Sequence, residues 1–314
     1  MNSIRSVIEP MQKNMHVLNM NGLQGRMLKI PSVKHSQLHI MFVYGHHASL
    51  ERIYGIVEAL SDYGTVTAPD LPGFGGMESF YSIGMKPTLD TMADYLASFV
   101  KLRYRGKKVV IVGMSLGFVI VTRMLQRYPE LVNKVDMLIS FVGFTHAYDL
   151  SFSPTRKLAY RTTASVLTKK LPSMLFYNLA LHPSVIKTAY SKTFNAKKKL
   201  AGLSAQEKKA ALDFEVILWR DNEVRTYMKM VDVIFTLDNC KIQVDLPVHH
   251  VSIEQDQYFD NSVVEQHMRV IFNDFTEHIA VMPAHAPSIL ASKKEAQPFI
   301  PKSLTKVLKK RAVA

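Results

Sequence analysis

The sequence contains a single cysteine, Cys240, in 314 residues. One cysteine cannot form a disulfide within the chain, and this scarcity is typical of proteins that work in a reducing compartment. Long apolar runs are also absent: no stretch reaches the ~18 apolar residues of a membrane-spanning helix, and the first residues lack the apolar core of a secretory signal. We therefore expect a cytoplasmic protein.

Acidic residues are scarce in two segments of this chain, whose net charge is +13. Residues 150–240 carry 15 Lys/Arg and 7 Asp/Glu, and residues 293–314 carry 7 Lys/Arg and 1 Asp/Glu. The remainder is nearly neutral, with 17 basic and 18 acidic residues. A middle segment with its own composition indicates an insertion in an otherwise neutral core.

The motif G-M-S-L-G at residues 113–117 stands between an apolar run and a helical pattern. The short run 109–112 is typical of a buried strand. After the motif, apolar residues recur at helical spacing up to Tyr128. A serine between a strand and a helix is the context that a nucleophile elbow needs. The glycines let the backbone turn without a side chain in the way, and the helix N-terminus favours a developing negative charge near Ser115.

The rest of the chain alternates between predicted strands and predicted helices. We expect strands at 38–44, 66–68, 109–112, 135–143, 247–253 and 275–282, and helices at 50–60, 88–104, 260–272 and from 286 onward, broken near Pro298 and Pro301. Such alternation predicts an α/β fold: a mostly parallel sheet with helices on both faces. Residues 14–31 predict a hairpin that forms its antiparallel edge.

The basic middle segment has a helical pattern broken at prolines 154, 172 and 183. We expect it to form a helical lid, residues 150–240, over the ends of the strands. Residues 1–149 and 241–314 would then form the core, with a basic C-terminal tail.

Four motifs, in chain order, resemble those of the α/β-hydrolase fold superfamily. Tyr44-Gly45-His46 is similar to the family's His-Gly-x turn, with Tyr44 in place of histidine. D-L-P-G-F-G at residues 70–75 matches the family's D-x-P-G-x-G loop, and residues 113–117 match its elbow. Residues 284–287, A-H-A-P, resemble its G-H-x-P stretch with alanine replacing glycine. Asp256 falls at the end of the penultimate strand, as the family's acid does, although Ile253 stands where many members carry glycine. The resemblance covers about residues 15–150 and 241–295.

This resemblance implies a serine hydrolase whose catalytic triad is Ser115, Asp256 and His285, in the family's chain order. A serine hydroxyl becomes nucleophilic when a histidine takes its proton, and a carboxylate holds that histidine in the right tautomer. The backbone N–H groups of Leu116 and His46 would form the oxyanion hole. No cofactor or metal is expected.

Other residues compete for two of these roles. Asp149 is a rival acid, because some members of the family place their acid after the strand predicted at 135–143. Asp256 could instead belong to a solvated acidic turn with Glu254 and Asp260. His278 competes with His285 as the base, but it lies within a strand pattern and is expected to be structural.

Two other kinds of site are disfavoured by the residue patterns. His46-His47 and His249-His250 suggest a metal site, but adjacent residues on a strand point to opposite faces and no cysteine accompanies them. Residues 73–76, G-F-G-G, lack the spacing of a dinucleotide-binding turn. The positive charge comes without a nucleic-acid-binding motif, so no nucleic-acid partner is expected.

A serine at position 115 argues against dehalogenases and epoxide hydrolases of this fold, which use aspartate. We expect a carboxylic-ester hydrolase that acts on a small-molecule acyl substrate through an acyl-enzyme. The apolar lid residues between 171 and 181 would line an acyl pocket or pack the lid onto the core. An acyltransferase and a non-catalytic binding protein of the same fold are the alternatives.

The two basic segments suggest a further partner. Lysines 197–199 and 208–209 fall in the predicted lid, and the tail carries Lys302, Lys306, Lys309, Lys310 and Arg311. In the tail, Leu304, Val307 and Leu308 recur at helical spacing between the basic residues, which predicts a basic amphipathic helix. We hypothesise that these charges hold the lid face against an anionic membrane surface. The alternative is that they only keep the protein soluble.

Overall fold

A computed structural model describes residues 11–193, 200–201, 203–254, 256–281 and 292–313. Its centre is an eight-stranded sheet in the order β1-β2-β4-β3-β5-β6-β7-β8. The strands are β1 Met15–Met20, β2 Leu23–Ile30, β3 His39–Val43, β4 Thr65–Pro69, β5 Val109–Met114, β6 Val135–Phe141, β7 Val244–Ile253 and β8 Phe272–Ala280. Neighbouring strands from β4 through β8 are parallel, whereas β2 pairs antiparallel with both β1 and β4.

Helices lie on the faces of this sheet. The helices are α1 Leu50–Leu60, α2 Leu89–Arg103, α3 Leu116–Arg127, α4 Pro154–Leu167, α5 Lys170–Leu179, α6 Pro183–Lys192, α7 Ala205–Arg220, α8 Val224–Thr236, α9 Asn261–Ile271, α10 Lys293–Ala296 and α11 Lys302–Val313. The predicted α/β class and the mostly parallel sheet are confirmed. All six residues of β5 are buried, as expected for a central strand covered on both faces.

The antiparallel edge forms where the hairpin was predicted. Asn21 and Gly22 connect β1 to β2 with φ angles of 55° and 79°. Both values lie in the left-handed region that a two-residue hairpin turn requires, and an Asn-Gly pair adopts it readily.

Strand β7 begins at Val244, earlier than the predicted start at Pro247. Its first half alternates between buried Val244, Leu246 and Val248 and exposed residues, so this part has one covered face. The sequence pattern predicted a later start because Pro247 interrupts it, and proline normally marks the end or edge of a strand. The pairing of β7 with β8 shifts register between Val244 and Pro247, and this shift accommodates the proline within the strand.

The C-terminal tail folds onto the core. After α10 the chain forms a 3-10 turn at Gln297–Phe299 and continues as α11, so the helix is interrupted where the prolines predicted. Leu304 and Leu308 are fully buried in the main core, and Arg311 bonds to Asp136 at 3.1 Å. The tail is therefore an amphipathic helix, as expected, but its apolar face is not available to a membrane.

The five helices α4 to α8 lie between β6 and β7, within the segment predicted as a lid. We call them the helical insertion. They have a small core of their own in which Ala164, Leu167, Leu181, Ile186, Val224 and Met228 are buried. None of the helices in the described part of the chain is long and apolar enough to cross a membrane.

Candidate active site

Ser115 sits between the end of β5 and the first residue of α3, in a backbone conformation with φ 50° and ψ −121°. A positive φ is uncommon for a residue other than glycine and indicates stored strain, which proteins tolerate mainly at functional positions. The sharp turn predicted at the motif is therefore present, but the serine itself carries the unusual conformation.

The two glycines of the motif are required because a side chain would be in the way, as expected. Neither of them has a positive φ. A Cβ on Gly113 would lie 2.5 Å from the Cα of Phe118, and a Cβ on Gly117 would run into the carbonyl oxygen of Val43. The glycines thus let α3 pack closely against β5 and β3, and this packing holds Ser115 at the strand end.

The turn after β3 lies directly against the serine. A Cβ on Gly45 would come within 2.9 Å of the Cβ of Ser115. Strands β3 and β5 are parallel neighbours, and the chain connections run in opposite directions from them, which creates a crevice at their carboxyl ends. His46 and Leu116, the predicted oxyanion donors, therefore follow neighbouring strands at one edge of the sheet.

Leu116 is the first residue of α3, so its N–H group has no acceptor within the helix. Helix N-termini concentrate such unpaired donors and a positive dipole end, both of which favour an oxyanion. The local geometry can thus stabilise negative charge next to the Ser115 hydroxyl.

Tyr44, which replaces the family's histidine, joins the turn after β3 to the loop after β4. Its buried hydroxyl donates to Asp70 Oδ1 at 3.0 Å and accepts from the backbone N–H of Leu71 at 2.9 Å. Arg26 donates to the other oxygen of Asp70 at 3.0 Å and to Glu51 at 2.7 Å. Burial raises the pKa of the Asp70 carboxyl, while Arg26 acts in the opposite direction. Tyr44 therefore braces the 70–76 loop.

The comparisons with known proteins agree with this arrangement. The model of the alpha/beta hydrolase fold family matches residues 39–289. The chain belongs to this family. The comparison with curated proteins found no match.

Several solved structures of α/β-hydrolases resemble this one. A thermophilic esterase from Thermogutta terrifontis has a TM-score of 0.59 at 15% identity, covering 94% of this chain and 96% of its own. N-formylmaleamic acid deformylase from Pseudomonas putida S16 has a TM-score of 0.56 at 16% identity, with 86% and 94% covered. An epoxide hydrolase has a TM-score of 0.59 at 14% identity, with 95% and 96% covered. At these identities the likeness shows the shared α/β-hydrolase fold alone.

The helical insertion of this α/β-hydrolase is fastened to the turn after β3. The ring of His46 packs against Tyr227 of α8, with ring centroids 3.9 Å apart, and its Nε2 lies 3.1 Å from the Tyr227 carbonyl oxygen. The next residue, His47, forms a 2.8 Å hydrogen bond between its Nε2 and the carboxylate of Glu215 on α7. Glu215 is 3% exposed. Burial lowers the pKa of His46 to about 3, so its ring is neutral near pH 7.

A second attachment joins the insertion to the 70–76 loop. The backbone N–H of Gly76 donates to the carbonyl oxygen of Asp221, in the connection between α7 and α8, at 3.1 Å. Asn222 Oδ1 accepts from the N–H of Gly75 at 3.2 Å, and the N–H of Glu223 donates to the carbonyl of Gly73 at 2.9 Å. The insertion thus covers the carboxyl ends of both β3 and β4.

The two candidate acids have different surroundings. Asp256 follows β7 and is half-buried, and its Oδ1 accepts from the N–H of Tyr258 at 2.8 Å. The predicted base His285 and its A-H-A-P motif lie outside the described residues. The structure therefore leaves the pairing of Asp256 with His285 as a prediction.

The rival acid, Asp149, is fully buried and engaged on both oxygens. Oδ2 accepts from the N–H groups of Thr145 at 2.8 Å and His146 at 3.0 Å, and Oδ1 is 2.5 Å from Nδ1 of His267 on α9. These contacts close the loop after β6 against α9. This environment favours a structural role for Asp149.

His278 lies within β8, where the strand pattern placed it, and is 4% exposed. Its Nε2 is 3.1 Å from Nδ1 of His249, and its Nδ1 is 2.9 Å from the hydroxyl of Ser303 on α11. His250 points to the other face and bonds to Ser140 at 2.9 Å. In the described ranges, no three His, Cys, Asp or Glu side chains group as metal ligands would.

Sequence reasoning missed Glu215, Trp219 and Tyr227, the insertion residues that contact His46 and His47. The one available signal was an acidic residue inside an apolar stretch of α7, between Phe214 and Val216. Such a carboxylate requires a partner when the helix packs, but nothing local identifies that partner as His47.

The apolar residues between 171 and 181, expected to line an acyl pocket or to pack the lid onto the core, fall into two groups. Phe176 and Leu181 line a small cavity with Trp219, Asn222, Val224, Tyr227 and Met228. In contrast, Leu171, Met174, Leu175 and Leu179 face solvent, with exposed fractions of 62%, 52%, 49% and 69%. The expectation that these residues pack the lid onto the core is wrong for these four.

Proposed function

We propose that this α/β-hydrolase is a serine hydrolase that cleaves a carboxylic ester or related acyl substrate. Ser115 would attack the acyl carbon, His285 would take the serine proton, and Asp256 would hold the histidine in the correct tautomer. His285 would then give that proton to the alcohol as the ester bond breaks, and water would hydrolyse the remaining acyl-enzyme to release the acid and free Ser115. The N–H groups of His46 and Leu116 would bind the oxyanion, and losing one such donor typically costs about 2.7–4 kcal/mol of transition-state stabilisation.

The conformation of Ser115 carries this proposal. Its positive φ, its place at the N-terminus of α3 and its contact with Gly45 combine strain, an anion-stabilising helix end and a second turn in one crevice. A serine in an ordinary strand-to-helix turn needs none of these features. An aspartate nucleophile would serve an epoxide hydrolase of this fold, and position 115 carries serine instead.

The helical insertion would act as the lid over this site. Its attachments at His46, His47 and the 70–76 loop support this role. The apolar cavity at Phe176, Trp219 and Tyr227 adjoins His46. We infer that a hydrophobic acyl chain enters beneath the insertion along these side chains.

Labelling with a fluorophosphonate probe, together with turnover of p-nitrophenyl esters of increasing chain length, tests the proposal. We expect the wild type to be labelled once and Ser115→Ala to be neither labelled nor active, with an unchanged circular dichroism spectrum. Ser98→Ala on α2, where the hydroxyl only bonds to the Asp94 carbonyl, is the matched control and should keep full activity.

Three outcomes would redirect this assignment. Turnover retained by folded Ser115→Ala would refute the nucleophile. An unlabelled wild type would favour a non-catalytic binding protein of this fold. Ester products formed when an alcohol is added would favour an acyltransferase, because the alcohol would then replace water at the acyl-enzyme.

A further inference from the structure

Helix α5 presents an apolar stripe to solvent. Leu171, Met174, Leu175 and Leu179 recur at spacings of three and four residues, so they lie on one side of the helix. Each is about half exposed or more. We call these four residues the α5 stripe. The inward side of the helix carries buried Ser173 and the half-buried Phe176 and Tyr177, and the two aromatic side chains pack against the small core of the helical insertion.

This arrangement is the reverse of an ordinary surface helix, whose solvent side is polar. Leaving four large apolar side chains in water has no benefit for folding, because their transfer out of water is favourable. A contiguous exposed apolar patch of this kind marks a surface that another phase or partner covers.

The charges around the stripe identify what covers it. Residues 151–206 contain ten Lys/Arg and not one Asp or Glu. Lys169 and Lys170, both exposed, stand at the start of α5, and exposed Arg161 lies on α4, which contacts α5. Long basic side chains can keep their charge in the headgroup layer while neighbouring apolar side chains enter the lipid. Exposed apolar side chains with exposed cations beside them are complementary to an anionic lipid surface.

A second copy of the chain fits this surface poorly. A symmetric pair would place the same stripe with its exposed Lys169 and Lys170 against itself, so that like charges would meet. Helix α11 carries five Lys or Arg, against the single Lys170 of α5, but it fails as a docking surface because its Leu304 and Leu308 are fully buried. It is the more basic helix and lacks the exposed apolar side.

We propose that the α5 stripe docks the protein onto an anionic lipid bilayer, with Leu171, Met174, Leu175 and Leu179 in the interface and the exposed Lys169, Lys170 and Arg161 at the headgroups. Helix α5 packs on α8 through Phe176, and Tyr227 of α8 lies on His46. Docking therefore turns the helical insertion, which covers the candidate active site, towards the lipid. The docking itself does not depend on catalysis and is measured equally well with Ser115→Ala.

Vesicle co-sedimentation of the full chain tests this proposal. The vesicles are phosphatidylcholine alone and phosphatidylcholine containing about one-quarter phosphatidylserine, at about 0.1 M and 0.5 M salt. We expect binding to the anionic vesicles at low salt and at least about tenfold weaker binding at high salt or on neutral vesicles. Leu171→Gln, Leu175→Gln and Leu179→Gln combined should weaken binding by about tenfold or more.

Matched variants separate the stripe from general charge and apolarity. Leu102→Gln changes a residue that is 71% exposed on α2, far along the chain from the insertion, and should leave binding within about twofold of wild type. Lys169→Gln with Lys170→Gln should weaken binding severalfold, whereas Lys309→Gln with Lys310→Gln on α11 should do so much less. All of these side chains are exposed, and circular dichroism checks that each variant is folded.

The proposal is overturned by full binding of the triple leucine variant, by equal binding to neutral vesicles, or by a tail-lysine variant that weakens binding more than Lys169→Gln with Lys170→Gln. The proposal is also overturned if polyglutamate displaces the wild type and the stripe variants equally and fully from the vesicles. The partner would then be an acidic polypeptide. A dimer that dissociates only in the stripe variant would assign the surface to a second copy.

Discussion

At the scale of single residues, substituting asparagine for each of the two candidate acids, Asp256 and Asp149, distinguishes a catalytic from a structural role. Asp256 follows β7, half-buried at the strand ends, whereas Asp149 is fully buried with both oxygens engaged. The same substitution is therefore predicted to affect chemistry at one position and stability at the other.

We predict that Asp256→Asn lowers kcat by roughly 10³–10⁴-fold with little change in thermal stability, because an amide favours the wrong histidine tautomer. Asp149→Asn should instead lower the free energy of unfolding by about 1–3 kcal/mol, because it weakens a charge-assisted bond to His267 in a buried site. Its activity per folded molecule should stay near wild type. Steady-state kinetics and urea unfolding of both variants measure this, and a larger kcat loss in Asp149→Asn would transfer the role of the acid to Asp149.

At the scale of secondary-structure elements, helix α7 reaches the turn after β3 through one buried carboxylate. Glu215 pairs with His47 at 2.8 Å, and Arg52 donates to the His47 carbonyl oxygen at 2.9 Å. His47 has a φ of 55°, so its backbone is in the left-handed region beside the predicted oxyanion donor His46. The pair therefore positions the turn from the side of the helical insertion.

We predict that Glu215→Ala lowers kcat for the proposed ester hydrolysis by roughly tenfold or more, since a charge-assisted hydrogen bond contributes about 1.5–3 kcal/mol. Glu215→Gln keeps an acceptor and should restore part of the rate. Asp213→Ala, on the same helix, removes an exposed ion pair with Lys187 and serves as the control with nearly unchanged kcat. Equal losses of kcat in Glu215→Ala and Asp213→Ala would contradict a specific role for the bond between Glu215 and His47.

At the scale of the whole molecule, buried histidines make stability depend on pH. Burial lowers the pKa of His250 to about 3 and that of His278 to about 4, with Asp256 opposing the shift of His250 and His249 adding to that of His278. Both are nearly inaccessible in the sheet. In the unfolded chain a histidine titrates near 6.5, so below that pH the unfolded state binds protons that the folded state does not.

We therefore predict that the free energy of unfolding is steady above about pH 7 and falls as the pH drops from about 6.5 towards 4. His250 alone would contribute about 2 kcal/mol of this loss between pH 7 and pH 5. His250→Asn should keep a bond to Ser140 but have a flatter acid limb in urea unfolding. His16→Asn, at an exposed position, should reproduce the wild-type slope; an unchanged slope in His250→Asn would contradict the assignment.

Local pattern was enough to predict the sheet, most helix and strand bounds, and the place of Ser115. Helix α1 was predicted at 50–60 and observed at Leu50–Leu60, and the elbow serine lies between β5 and α3 as expected. These features depend on residues that are neighbours in sequence. Apolar periodicity and a turn motif are local signals, so they can be read without knowing which distant parts of the chain pack together.

The remaining features depend on which surfaces pack together. Tyr44 braces the loop after β4, Glu215 pairs with His47 across 168 positions, and Leu304 and Leu308 turn inward while the α5 stripe turns outward. The sequence shows Leu171 and Leu304 alike as apolar residues in basic segments of the chain. Only the tertiary structure decides between them, because the side of a helix that is buried is set by the surface it meets, and that surface comes from elsewhere in the chain.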